Sequence, residues 1–320
     1  MSPKRIFVTG ASGCLGHYLV ETLIQSTDHD LFLLVRNPDK LKVDLDARPG
    51  INVLKGDLHD IEQFASLLKT MDFAILTATA WGGLQEVFDI NVVKTLRLME
   101  LLDPERCERV FYFSTASILD RNNQPLKEAG EIGTDYVRSK YACHQQLQQL
   151  AIAPKVITLF PTLLLGGDAQ KPWSHISAGI AKEIKWLSIL RFFSIDASFH
   201  YIHSKDVAEV VRYLIAHPLP PHLSREIVLG NPPTTADQAV EEACTYLNKP
   251  IYFQIRLTKP LLDFAFKVMR IKVEAWDRFA IEYRHFVHQN PVTPSTFGEP
   301  TYCASFADVL KLSGIPPRRR

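Results

Sequence analysis

The stretch Ile6-Phe7-Val8-Thr9-Gly10-Ala11-Ser12-Gly13-Cys14-Leu15-Gly16, continued by His17-Tyr18-Leu19-Val20-Glu21-Thr22-Leu23-Ile24, decides the architecture of this chain. A β-branched and aromatic run breaks into three glycines at a spacing of three, after which Leu15, Leu19 and Leu23 recur at helical period. The pattern predicts strand, tight turn and helix. At such a turn glycine lets the backbone come close to a pyrophosphate, and the free N–H groups and dipole of the helix N-terminus attract its charge. Gly10 is expected to make the turn, Gly13 the close approach and Gly16 the contact between helix and strand. The spacing Gly-x-x-Gly-x-x-Gly departs from the standard dinucleotide fingerprint, so the turn read alone also fits a glycine-rich loop that holds no ligand.

Composition narrows the alternatives. A length of 320 residues suits one large α/β unit, or a nucleotide domain with a smaller lobe inserted and appended. Lys plus Arg (36) nearly cancel Asp plus Glu (35), for a formal charge of +1, which gives no reason to expect a nucleic-acid surface. Arg318-Arg319-Arg320 reads as a solvated tail. The five cysteines (Cys14, Cys107, Cys143, Cys244, Cys303) form no C-x-x-C pair, so neither a disulfide framework nor a zinc site is expected. His200 and His203 would point to opposite faces of a strand, and no metal is expected there. The first strand follows Met1-Ser2-Pro3-Lys4-Arg5 directly, leaving no room for a signal peptide, and no apolar run approaches the roughly 18 residues of a membrane span. The expectation is a cytoplasmic protein without a membrane span.

Further along, Leu31-Phe32-Leu33-Leu34-Val35 is a continuous apolar run, the mark of a strand buried on both faces of a parallel sheet. It ends at Arg36. An acid at that tip would take a ribose 2′-hydroxyl, whereas an arginine takes a 2′-phosphate, so Arg36, helped by Ser12 and Lys40, favours NADP over NAD. A solvated arginine at a strand end is the alternative. A third strand, Ile51 to Leu54, leads to Asp57 and Leu58; a fourth, Phe73 to Ala80, runs into small residues that include Ala78, against which a nucleotide backbone fits. Apolar positions from Phe88 to Leu102 describe a long helix with Asn91 near its start. A fifth strand, Val110 to Phe113, places Ser114-Thr115-Ala116-Ser117 at its carboxyl end, where ligands of open α/β sheets bind.

Tyr-x-x-x-Lys occurs twice, as Tyr136 with Lys140 and as Tyr201 with Lys205. The first pair opens a stretch of helical period, where positions four apart share a face. The second straddles a strand end and a helix start, so its side chains diverge and are read as structural. A phenol with a pKa near 10 is a poor proton donor at neutrality, and a neighbouring ammonium is expected to lower that pKa.

The glycine turn, Asp57, Asn91, Thr115, Tyr136 and Lys140 stand in the order of an extended short-chain dehydrogenase/reductase, the class that includes epimerase/dehydratase enzymes. The chain resembles that superfamily along nearly its whole length, Phe199 to Ala208 included. The resemblance implies an α/β fold: a Rossmann-like doubly wound parallel sheet from residues 1–160, with returns near 201–229, and a smaller, interleaved C-terminal substrate lobe from 161–320. It implies a cofactor site of Gly10, Ser12, Gly13, Cys14, Leu15, Gly16, Arg36, Asp57, Leu58 and Ala78 together with Tyr136 and Lys140, with Asp57 on the adenine amine. Its catalytic set is Asn91 in a water-linked proton relay, Thr115 on the substrate oxygen, Tyr136 as acid/base, and Lys140 on the nicotinamide ribose. Matching Ile118-Leu119 to the family's apolar segment selects Thr115, but Asp120 replaces the usual glycine, so Ser114 and Ser117 stay open.

Nucleotide-sugar members of this class carry an Arg-x-x-Asn-like element after the sixth strand and an arginine before the late strand. The corresponding stretches here, Leu159-Phe160-Pro161-Thr162 and Ala197-Ser198-Phe199-His200, have neither. The expected activity is therefore NADP-dependent reduction of a carbonyl on a small or hydrophobic substrate. A nucleotide-sugar epimerase/dehydratase and a non-catalytic NADP-binding sensor or assembly protein are the alternatives, and a homodimer is a compatible assembly. The run Leu261 to Met269 predicts a buried lobe helix, with lining of an apolar pocket or contact with a membrane surface as the alternatives.

Overall fold

The computed structural model describes residues 3–258, 260–261 and 272–318. Strands β1 (Arg5–Thr9), β2 (Asp30–Val35), β3 (Ile51–Lys55), β4 (Phe73–Leu76), β5 (Arg109–Phe113) and β6 (Val156–Pro161) form one parallel sheet with the strand Glu226–Leu229. From the Glu226–Leu229 edge the order runs β6, β5, β4, β1, β2, β3. Ile6, Phe7 and Val8 are all fully buried, as a parallel strand covered on both faces requires. Ile6 and Val8 face one core with Leu19 and Leu23 of helix α1 (Cys14–Ser26) and with Val210 and Leu214 of the Ser204–Ala216 helix. Phe7 faces the other core, with Leu98 and with Cys143 and Leu147 of helix α2 (Asp135–Leu147). The fold is thus a Rossmann-like doubly wound α/β sheet.

Because β1 is flanked by β2 on one side and β4 on the other, the chain winds outward in both directions from a switch point between β1 and β4. Crevices at such points, beyond the carboxyl ends of the strands, are where open α/β sheets bind ligands. The topology therefore points to the carboxyl ends of β1 and β4 as the place to look for a site before any side chain is considered.

Three elements differ from the sequence expectation. Strand β4 stops at Leu76 rather than continuing to Ala80, because the following backbone is drawn off the sheet: Thr77 Oγ1 donates to Thr9 O (2.7 Å) and Asn91 takes both polar groups of Ala80. The long helix begins at Leu84, four residues early, and is α-helical over Leu84–Phe88, π-helical over Asp89–Lys94 and α-helical again over Thr95–Leu101. Tyr201–His203 pairs with Leu163–Leu165 in a separate two-stranded sheet, although the helix that follows it packs on α1.

Tyr201 and Lys205 do diverge: the Tyr201 hydroxyl donates to Ala304 O (3.3 Å), while the Lys205 ammonium lies over the Tyr302 ring. His200 lies between Asn231 O (2.7 Å) and the His288 N–H (2.9 Å), and His203 caps the next helix through the Lys205 N–H. Leu187, Ala243, Leu247 and Leu310 pack into an apolar cluster apart from the two cores of the sheet. The predicted helix Leu261 to Met269 falls outside the described residues from position 262 onward. Among the described residues no helix is long and apolar enough to cross a membrane.

Candidate active site

The glycine turn is held by its own backbone. Gly10 has φ +71°, and a Cβ there would meet Thr77 Oγ1 at 2.5 Å and Ala78 N at 2.7 Å, so β1 and β4 close on each other only around a glycine. At Gly16 a Cβ would lie 2.1 Å from Gly10 O, which presses the first turn of α1 against the loop. Gly13 is the N-cap of α1. It makes no side-chain cap, and an added Cβ would meet only Gly10 O, at 3.2 Å. The open side of the turn thus carries uncapped helical N–H groups and no side chain, a cradle that fits a pyrophosphate.

His17 fastens the cradle to the loop after β2: its Nδ1 lies 2.8 Å from Gly13 O, and its Nε2 accepts the Lys42 N–H (3.1 Å). That network assigns the proton to Nδ1. Ser12 and Cys14 are half-buried beside the turn, and Cys14 Sγ is 3.6 Å from Ser204 Oγ. Leu15 and Leu58 are buried in the two cores, so only their main chains are available to a ligand. The Ala78 N–H donates to Thr9 Oγ1 (3.3 Å).

At the tips of β2 and β3, Arg36 projects with 79% of its side chain exposed, 3.9 Å from Asp57 Oδ2. Asp57 Oδ1 accepts the His59 N–H (3.0 Å) and the His59 Nδ1–H (2.7 Å). Burial pushes the Asp57 carboxyl up, but the His59 bonds and Arg36 outweigh it and hold the group below the usual carboxylate range.

Asn91 lies fully buried in the π-helical segment with its amide completely used. Oδ1 accepts from Thr79 Oγ1 (3.0 Å) and the Ala80 N–H (2.8 Å), and Nδ2 donates to Ala80 O (3.1 Å) and Ser139 Oγ (3.0 Å). The side chain is therefore a brace between the loop after β4 and α2. Asn91→Ala strands several buried partners at once and is expected to cost about 3 kcal/mol or more of stability, read by chemical denaturation.

Thr115 follows β5, buried, with Oγ1 accepting the Ser117 N–H (3.3 Å) and donating to Ser117 Oγ (3.3 Å). Tyr136 sits in the first turn of α2, which Thr134 caps. Burial raises the Tyr136 phenol well above its ordinary value, and the hydrogen bond with Thr115 opposes that only in part. This reverses the expectation that Lys140 would lower it. The Lys140 ammonium instead donates to Phe113 O (2.8 Å), lies over the Tyr112 ring (5.2 Å) and stays 6.0 Å from the Tyr136 ring centroid. Its own pKa is pushed down to about 8 by burial, with Cys143 pulling the other way. Ser114 Oγ and Tyr112 Oη are buried without a hydrogen-bond partner among the described residues.

The sequence reading missed Trp81. Its indole stacks on the Tyr136 ring with centroids 3.9 Å apart and planes 13° from parallel, and the His175 ring lies 4.5 Å from it. The signal available was a lone tryptophan ending the small-residue run after β4, immediately before Gly82-Gly83.

A doubly wound sheet, a glycine cradle at its switch point and a Thr-Tyr-Lys group at the end of β5 define an extended short-chain dehydrogenase/reductase. Residues 6–230 match the family described as NAD dependent epimerase/dehydratase, and the chain belongs to that family. An isoflavone reductase homolog of Nicotiana tabacum is 33% identical over 100 residues, 29% of this chain and 31% of that protein. The match to the first curated relatives thus spans under a third of their length. Sterol demethylase protein B of Methylococcus capsulatus is 26% identical over 217 residues, 63% of each chain. The solved structure of gox2253 superposes with a TM-score of 0.69 at 19% identity over 97% of both chains, a likeness of fold.

Proposed function

We propose that this chain is an NADP-dependent reductase that delivers a proton through Tyr136 to the carbonyl oxygen of a small or hydrophobic substrate. The observation that carries the reading is the convergence of Thr115, Tyr136 and Lys140 at the carboxyl end of β5, beside the glycine cradle. The cofactor would be held by the Gly10–Gly16 turn, with Arg36 on a 2′-phosphate and Asp57 near the adenine. When bound, its reduced nicotinamide supplies the hydride. Thr115 and Tyr136 lie close enough to interact and would grip one carbonyl oxygen between them. The phenol is protonated at neutral pH, the form that donates in a reduction, while the burial that raises its pKa makes it the weaker acid. Lys140 would hold the nicotinamide ribose and restore the proton, a task suited to a group titrating near neutrality.

Isoflavone reductase homologs and a sterol demethylase protein among the relatives support an apolar substrate. Of the cations that could reach a sugar diphosphate from the lobe, Arg256 pairs with Asp196 (3.5 Å) and Arg191 Nη1 donates to Pro250 O (2.7 Å), whereas Lys182 is exposed on the His175–Glu183 helix. The family name keeps nucleotide-sugar epimerisation as the second reading. Micromolar binding of a UDP- or GDP-sugar to the NADP-loaded protein, measured by calorimetry, would make it the leading one. The test of the first reading is NADPH oxidation against a panel of carbonyl compounds.

Cofactor choice is tested separately. Arg36 offers an exposed guanidinium, paired only at 3.9 Å with Asp57, where an acid would select NAD, so NADPH is expected to bind more tightly than NADH by roughly tenfold or more, the worth of a charge-assisted hydrogen bond. Arg36→Asp places a second carboxylate beside Asp57 and should reverse the order. Equal wild-type affinity for the two cofactors, by fluorescence titration, would remove Arg36 from the account.

A further inference from the structure

We propose that Trp81 determines specificity in this site and selects planar, uncharged carbonyl substrates. The inference rests on the reductase reading above and names its substrate class. Tyr136 is the group whose hydroxyl must reach the substrate oxygen, so any substituent on that carbonyl has to lie alongside whatever borders the phenol. What borders it is a flat apolar surface: the indole, parallel to the Tyr136 ring at 3.9 Å. His175, the first residue of the lobe helix His175–Glu183, approaches the same indole at 4.5 Å, so Trp81 stands between the sheet domain and the lobe.

The placement is unusual for a residue with only a packing role. Trp81 remains 52% exposed although its ring is stacked, which leaves apolar aromatic surface open next to the reacting group. The loop that presents it is fixed at its base, where Asn91 bonds both the N–H and the carbonyl of Ala80. With one face covered by Tyr136, the indole offers a substrate its exposed rim, against which a ring packs and displaces water, and it offers a hydrated diphosphate nothing in return for its lost solvation.

The experiment compares two aldehydes with the same reacting group, 2-naphthaldehyde and butanal, using NADPH-saturated protein. Trp81→Ala is expected to raise KM for 2-naphthaldehyde by about tenfold, the scale of a lost aromatic contact plus its buried area, with kcat little changed. The kcat/KM for butanal, which presents no ring to the indole, should fall less, so that the 2-naphthaldehyde-to-butanal ratio of kcat/KM drops about tenfold, and Trp81→Phe should restore most of the affinity for 2-naphthaldehyde. An equal loss for both aldehydes would mean that Trp81 only positions Tyr136, and no loss for either would mean that it does not touch the substrate; both results overturn the proposal.

A binding readout separates this proposal from the reductase reading itself. In the Tyr136→Phe protein, which retains the stacking ring, the dissociation constant of 2-naphthaldehyde is measured with and without Trp81→Ala. About tenfold weakening upholds the recognition role even if the wild type turns over no aldehyde. Unchanged binding, or no binding at all, overturns it.

Discussion

Tyr136→Phe is expected to lower carbonyl turnover by about a thousandfold, the range that removal of a positioned general acid produces. The dissociation constant for NADPH should change little. The substitution deletes one hydroxyl and keeps the ring that stacks on Trp81, so packing around α2 is preserved and any loss belongs to the proton. Thr115 would remain to hold the carbonyl oxygen but has no route to replace the proton. Steady-state NADPH oxidation, paired with fluorescence titration of the cofactor, separates the two effects. A variant that retains its turnover would exclude Tyr136 as the acid and return attention to Ser114 and Ser117, the other hydroxyls at the end of β5.

Lys140→Met is expected to have opposite effects on activity and stability. Turnover should fall by about a hundredfold or more, because proton return is lost. In the wild type kcat/KM should decline as pH rises through about 8, where the ammonium loses its proton, and that limb should be missing from the variant.

Stability runs the other way. The folded-state pKa of Lys140 is depressed from 10.5 to about 8, so between those values the unfolded chain binds more protons and wild-type stability rises with pH. Below pH 8 the full cost of burying the charge is present, roughly 3 kcal/mol at 1.36 kcal/mol per pKa unit. Methionine relieves that cost but leaves Phe113 O without its donor, a loss of about 1–3 kcal/mol. The variant should therefore match the wild type at pH 7 or exceed it by up to about 2 kcal/mol, and fall behind by pH 10, as read by chemical denaturation. A variant less stable than the wild type by the same margin at both pH values would show that Lys140 is not buried as a costly charge.

Much of the architecture was legible in the sequence because the glycine turn and the apolar strands leave few alternatives. Phe7 and Leu33 can only be central strand residues, and Gly10 and Gly16 are required by contacts of 2.5 Å and 2.1 Å that any Cβ would make. What the sequence hid depends on distances between elements far apart in the chain. The length of β4 was overestimated because Thr77 to Ala80 have strand-like composition, while their hydrogen bonds go to Thr9 and Asn91. The π-helical segment has no glycine or proline to announce it. It accompanies the inward turn of Asn91 and a bond from Thr95 Oγ1 to Ile90 O (2.8 Å).

The spacing of Tyr136 and Lys140 correctly put both on α2 but said nothing about where the ammonium would go. It goes beneath β5, to Phe113 O and the Tyr112 ring, and burial rather than charge pairing then sets the Tyr136 pKa. Trp81 escaped notice because stacking between residues 81 and 136 leaves no periodic trace in either segment.

Net hydride delivery to a carbonyl carbon, with Tyr136 supplying the proton, is tested by isotope transfer. The protein is incubated with NADPH deuterated at the transferring position of C4 and with the carbonyl panel, and the products are analysed by mass spectrometry. The expected product is an alcohol carrying one deuterium on the former carbonyl carbon with wild-type protein, formed about a thousandfold more slowly with Tyr136→Phe. NADPH that binds tightly but passes no deuterium to any carbonyl, while a sugar nucleotide is converted without net cofactor oxidation, would contradict it.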